Sequence, residues 1–195
     1  RSCLVGSEMC IRDRYQTAFL KTYHKEDFIA ATMTTELTNT SKLREFVEEL
    51  KRLKVEIIRP SINKCFAEFK AINGKIHYGL GAIKNVGFEA ISNIVKERES
   101  NGNFKSLEDL MVRVNSKDVN KLQLEGLTKS GTFDEFDNDR NKILNSIPKI
   151  IQQIKNFNDD KANNQSSLFG NEDDVENKFE YLPSTPWSQK ELLSE

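Results

Sequence analysis

The stretch Ile83-Lys-Asn-Val-Gly87, followed without a break by Phe88-Glu-Ala-Ile-Ser-Asn-Ile-Val-Lys-Glu-Arg-Glu99, decides how this chain is read. Ile91, Ile94 and Val95 recur at helical spacing, so a helix over Phe88 to Glu99 starts directly after the glycine. A tight turn ending in glycine lets the backbone come close to a ligand, and the helix that begins there points unbonded N–H groups outward. Such a turn can hold a phosphate. Lys84 adds a positive charge, and because the donors are backbone groups the contact is indifferent to base sequence. Lys84, Asn85, Val86 and Gly87 are therefore candidate DNA-binding residues. The same segment also reads as a plain glycine connection between two packed helices, since short glycine turns before helices are common.

Working outward toward the C-terminus, Ser106-Leu-Glu-Asp109 has the form of a capping box that opens a second helix. A third helix is expected over about Lys117 to Lys129, with Val119, Leu122 and Leu127 facing inward and Gly131 as its stop. Leu124-Glu-Gly-Leu127 and Thr128-Lys-Ser-Gly131 repeat the glycine-turn logic more weakly. This adds Lys121, Lys129, Ser130 and Gly131 as DNA-binding candidates, with Arg113 as a supporting charge; each is equally readable as part of a solvated helix face. A further helix over Arg140 to Lys155 contains Pro148, which must kink it or lie near its start.

Toward the N-terminus, Phe66 to Ile72 and Lys75 to Leu80 flank Asn73-Gly74, a dipeptide suited to a type I′ turn, and predict a small β-hairpin. Before it, Leu43, Phe46, Val47, Leu50 and Leu53 recur at helical spacing behind Asn39, Thr40 and Ser41, a choice of N-caps. That helix ends near Lys54. Phe19, Leu20, Tyr23, Phe28, Ile29 and Met33 predict one or two earlier helices, loosened around His24 to Asp27.

Composition bounds the function. With 195 residues and a formal charge of −1, the chain can build one medium domain or two small ones but has no bulk basic field. Any DNA contact must be local. The apolar runs fall short of the roughly 18 residues needed to span a bilayer, and the start lacks signal-peptide order, so a cytoplasmic protein without a membrane partner is expected. Cys3, Cys10 and Cys65 lack metal-ligand or disulfide spacing. His24 reads as a packed or capping residue and His77 as solvent-facing on the hairpin. Asp137-Asn-Asp139 reads as a cap and turn in preference to a metal site. No catalytic or metal-ligating set is evident.

Between about Asn156 and Glu180 seven acidic residues stand against two lysines, which predicts a disordered acidic linker. Within it Gln165-Ser-Ser-Leu168-Phe169 places two large apolar side chains where no core can form. Docking into a partner's pocket, with Gln165 supplying an oriented hydrogen bond, explains them better than exposure does.

The order of segments resembles the bacterial DNA polymerase III alpha subunit. The resemblance is carried by Tyr15-Gln-Thr-Ala-Phe-Leu-Lys21, Phe28-Ile-Ala-Ala-Thr-Met33, Ile58-Arg-Pro-Ser-Ile-Asn63, Tyr78-Gly-Leu-Gly-Ala-Ile-Lys84, Val86-Gly87, Phe104-Lys-Ser-Leu-Glu-Asp-Leu110, Leu124-Glu-Gly-Leu127 and Ser130-Gly-Thr-Phe-Asp134. It implies a mainly α fold with a small β-hairpin. Residues 15–60 would be the end of the fingers region, 61–136 the hairpin and tandem helix-hairpin-helix region, 137–155 a helix and 156–195 the acidic linker. It also implies that Gln165, Leu168 and Phe169 bind the sliding clamp, that duplex DNA is a partner, and that other replicase subunits attach through regions absent here. Magnesium and catalytic aspartates are implied for the full-length polymerase, not for this chain, which is expected to be inactive alone. Arg1 to Arg14 departs from the pattern and reads as a foreign leader.

Two other classes stay open at this point. A repair protein with tandem helix-hairpin-helix motifs would use the same turns, and a helical protein-interaction module would use neither.

Overall fold

In the computed structural model, the described residues are 2–114, 119–162, 181 and 187, with the side chains of 2–9 and 154–162 left aside. The order is α1 (Ser2–Tyr23), α2 (Lys25–Thr35), α3 (Thr40–Arg52), β1 (Ile57–Ile58), β2 (Lys70–Ile72), β3 (Lys75–His77), a 3-10 turn (Leu80–Ala82), α4 (Phe88–Asn101), α5 (Leu107–Arg113), α6 (Lys121–Lys129) and α7 (Arg140–Ala162). The mainly helical class with a small β element is borne out.

Two adjoining hydrophobic clusters organise the chain. The smaller joins α2, α3 and the sheet through Ile29, Met33, Leu43, Leu50, Phe69 and Ile76. The larger gathers α4 to α7 around Leu80, Ile91, Ile94, Leu110, Leu124, Leu127, Phe133, Ile143 and Ile147. Tyr78 packs against both. Of the expected face of α3, Leu43 and Leu50 are buried, while Leu53 lies past its end and is largely exposed. Asn39 caps that helix, its Oδ1 accepting from the Lys42 N–H at 3.3 Å. The loosening expected at His24 to Asp27 narrows to His24, between α1 and α2. That histidine makes no capping bond and packs 6.4 Å from the Phe19 ring.

Asn73 (φ 52°) and Gly74 (φ 74°) both occupy the left-handed region, as a type I′ turn requires. They set the register Ile72↔Lys75, Ala71↔Ile76 and Lys70↔His77. The strands are shorter than expected, and Phe66 instead makes an isolated parallel bridge with Gly79. A strand absent from the sequence reading, β1, pairs in parallel with β3 and turns the hairpin into a three-stranded sheet. His77 is also corrected: it is half-buried, with Nδ1 2.8 Å from the Lys64 carbonyl oxygen.

Between α5 and α7 the chain is held by polar side chains. Ser106 caps α5 through the Asp109 N–H at 3.2 Å, while Asp109 reaches back one residue further than a capping box would, to the Lys105 N–H at 3.0 Å. α6 begins later than expected, because Asn120 and Gln123 close a true reciprocal capping box at 2.9 and 3.0 Å. α7 is continuous through Pro148, which lies exposed inside it. A proline there forfeits one helical hydrogen bond and costs about 3 kcal/mol. Ile143, Ile147 and Ile150, all buried on the opposite side, offset that cost. Beyond α7, Tyr181 packs on the larger cluster. Its hydroxyl donates to Glu108 Oε1 at 2.8 Å, and the Lys142 Nζ lies 4.8 Å from its ring centre.

Candidate nucleic-acid interface

The turn Ile83 to Gly87 follows the 3-10 turn and leads into α4. Val86 is buried against the larger cluster and anchors the turn, while Lys84, Asn85 and Gly87 are exposed. Asn85 sits at φ 66°, a left-handed conformation that asparagine tolerates better than most side chains. That residue reverses the chain so that the amino end of α4 opens beside Lys84. No side chain caps α4, although α3, α5 and α6 are capped by Asn39, Ser106 and Asn120. The uncapped end carries the positive pole of the helix dipole and unbonded N–H groups, which favours an anion.

The role of glycine is placed differently from the sequence reading. Gly87 has φ −78°, an ordinary extended value, and a Cβ there would face Gln123 Nε2 at 3.2 Å. That neighbour is the end of a flexible side chain, which a small shift would accommodate. Gly126, inside α6, is confined more tightly, and by the turn itself. A Cβ on Gly126 would lie 2.7 Å from the Lys84 carbonyl oxygen and 3.3 Å from Val86 Cγ2. A glycine inside a helix is disfavoured by about 1 kcal/mol relative to alanine, and that anomaly was the available signal. α6 therefore supports the turn from beneath, backbone against backbone.

The second turn has the opposite construction. Thr128 to Gly131 follows the carboxyl end of α6, where carbonyls and not N–H groups are left over. The N–H groups of Ser130, Gly131 and Thr132 donate to the carbonyls of Gly126, Thr128 and Leu127 at 3.1, 3.0 and 3.1 Å. The Ser130 hydroxyl donates to the Leu127 carbonyl at 2.8 Å. Arg140 donates to the Lys129 carbonyl at 3.0 Å and pairs with Asp134, filling the space above Gly131 (φ 80°), which is buried. The N–H groups of Ser130 and Gly131 are thus already bonded within the turn. Lys121 is exposed but stands 3.7 Å from Glu125. Lys129 is half-buried.

Two further expectations change. Arg113 is not a spare charge: it bonds Glu97 at 3.2 Å, Asp109 at 3.2 Å and the Gly102 carbonyl at 2.9 Å, and stacks 4.5 Å from the Phe104 ring centre. Leu122, expected inward, is 57% exposed, because α6 buries Leu124 and Leu127 and a residue two positions before Leu124 falls on roughly the opposite side of a helix. Arg98, which the sequence reading did not single out, is buried and donates to the carbonyls of Ile62 and Cys65 at 2.7 and 2.8 Å, tying α4 to the strand region.

Asp137 and Asp139 form the expected turn and cap. Asp139 accepts from the Lys142 N–H at 3.0 Å, and Asp137 accepts from the Asp139 N–H at 2.9 Å and from Lys142 Nζ at 2.7 Å. Burial raises the Asp137 carboxyl, but the Lys142 and Asp139 bonds outweigh it and hold it below the usual carboxylate range. Among the described residues no group of three or more His, Cys, Asp or Glu converges on a metal position. No described helix is long and apolar enough to cross a membrane. Gln165, Leu168 and Phe169 lie outside the described residues.

Comparison with known proteins agrees with this geometry. A helix-hairpin-helix motif family model matches residues 54–143, which contain both turns and α4 to α6. The chain is 38% identical over 182 residues to the DNA polymerase III subunit alpha of Borreliella burgdorferi, covering 92% of this chain and 16% of that protein. It is 37% identical over 163 residues to that of Campylobacter jejuni, covering 82% and 14%, and 34% identical over 181 residues to that of Caulobacter vibrioides, covering 93% and 16%. The chain thus spans about a sixth of the length of these relatives or less.

Proposed function

We propose, from the premise that this chain belongs with the DNA polymerase III alpha subunits, that it binds the backbone of duplex DNA as part of a DNA-directed DNA polymerase. The observation that carries the reading is the uncapped amino end of α4 beside exposed Lys84 and Asn85, inside the stretch that matches the helix-hairpin-helix model. Backbone donors at that end hold a phosphate oxygen, and Lys84 adds a point charge. Contacts of this kind position a duplex without reading its sequence. In the longer polypeptide they hold the primer–template while nucleotide addition proceeds elsewhere, and this stretch alone is inactive.

The second half of the proposal concerns Gln165, Leu168 and Phe169. A glutamine followed after a short spacer by adjacent leucine and phenylalanine suits a compact apolar pocket, and the sliding clamp is the partner we assign to it. Attachment there raises the local concentration of the polymerase at the primer end.

Two titrations test the two halves separately. Fluorescence anisotropy with a labelled duplex across a salt series reads the first: binding that weakens with salt supports it, and salt-independent absence of binding refutes it. Calorimetric titration against a bacterial sliding clamp, with and without Leu168→Ala/Phe169→Ala, reads the second. Equal binding by parent and double variant refutes the clamp assignment and leaves the DNA half intact.

A further inference from the structure

The amino ends of α4 and α6 meet, with Gly87 and Gln123 in close approach. Each end presents a large apolar side chain to solvent in its first turn: Phe88 is 45% exposed and Leu122 57%. The ring of Phe88 lies over Gly81, where an added Cβ would stand 3.1 Å from its Cδ2, so it is held at the mouth of the open turn. Neither side chain belongs to the buried core; Phe88 opens α4, and Leu122 adjoins Gln123, whose side chain reaches Gly87.

The charges around them nearly cancel. Lys84 and Lys121 are the cations of this face, while Glu89 lies in the first turn of α4 and Glu125 stands 3.7 Å from Lys121. The one open helix end here, that of α4, contributes only modestly to anion binding in water. A ligand seated here must therefore gain affinity from apolar contact as well as from phosphate. In a DNA duplex the apolar surface adjacent to backbone phosphates is the deoxyribose, because the base edges facing the grooves are mostly hydrogen-bonding groups.

We infer that Phe88 and Leu122 are sugar-contacting residues that flank the phosphate held at the amino end of α4, one from each helix, and so fix the lateral position of the strand. This rests on the DNA-binding reading given above. An apolar wedge beside a phosphate site grips without adding counterion release, which separates its signature from that of a lysine.

The test compares Phe88→Ala/Leu122→Ala, Lys84→Ala and Val112→Ala in the 195-residue chain, using a labelled duplex at several salt concentrations. Val112 is an exposed apolar residue on α5 and serves as the control. Thermal unfolding checks that each variant keeps the parent midpoint. The double variant is expected to bind roughly tenfold more weakly, with the slope of log affinity against log salt unchanged. Lys84→Ala is expected to lower that slope by about one, and Val112→Ala to leave both quantities alone. If the double variant binds like the parent while Lys84→Ala weakens binding, the inference falls and the DNA reading stands. A double variant that flattens the slope, or a Val112→Ala that weakens binding equally, also overturns it. If no variant differs from a parent that does not bind, both the DNA reading and the inference fall.

Discussion

The two glycine turns look alike as sequence, Ile83 to Gly87 and Thr128 to Gly131, yet they face opposite ways along their helices. The first precedes α4 and opens on unbonded N–H groups; the second follows α6 and is shut by its own hydrogen bonds and by the Arg140–Asp134 pair. Helix polarity separates them. A glycine at a helix amino end and one at a carboxyl end differ little in composition but leave opposite partial charges unsatisfied. The pair is therefore asymmetric: one turn offers contacts, and the other stiffens the support beneath it.

That contrast is broken most severely at Gly131. Alanine there meets a left-handed backbone and the Arg140 guanidinium. Strain of about 1–2 kcal/mol and overpacking of about 1–3 kcal/mol combine to a loss of roughly 3 kcal/mol, read by urea unfolding. Gly126→Ala should cost less, about 1–2 kcal/mol, since the clash with the Lys84 carbonyl is partly offset by better helix propensity. Unlike Gly131→Ala, it should move the open turn itself, so duplex affinity should fall even where the variant is fully folded. Folded Gly126→Ala with parental DNA affinity would show that α6 does not support the turn.

Ser130→Ala sharpens the comparison from the closed side. It removes a hydroxyl donation, so stability should drop by about 1 kcal/mol while DNA binding stays the same; lost DNA binding would return Ser130 to the interface. The smallest effect concerns acid. Burial pushes the Glu135 carboxyl up, but bonds from Lys64 and Ser61 dominate and hold it below its ordinary value of 4.5. A carboxyl depressed in the folded state adds stability above pH 4.5 that is lost as pH falls through its lowered folded value. Glu135→Gln should accordingly flatten the acid limb of the stability profile, and an unchanged limb would place the proton uptake elsewhere.

Much of this was legible from residue pattern because its causes are local. Apolar spacing located α3 and α4, Asn73-Gly74 gave the turn, and Asp137 and Asp139 were read as the cap they form. Longer-range features escaped. β1 has only Ile57 and Ile58 and exists because β3 offers it an edge. The position of Arg98 was readable as inward, four residues after Ile94, but its carbonyl partners belong to a segment over thirty residues away. Leu122 and Leu127, five residues apart, do not share a helix face; Leu124 and Leu127, three apart, do, and they form the buried side of α6. Around Ser130 and Gly131 the residue pattern leaves open which pole of the helix is exposed, because that depends on where α6 ends and not on composition.

Tyr181 gives the chain a geometry of reach. Eighteen residues, 163–180, separate the last residue of α7 from this tyrosine, which is fastened between Glu108 and Lys142 near the amino ends of α5 and α7. Any eighteen-residue segment has a contour of at most about 60–65 Å. The hydroxyl and ring of Tyr181 thus bring the chain back onto α5 and α7, the same body of helices from which it departed.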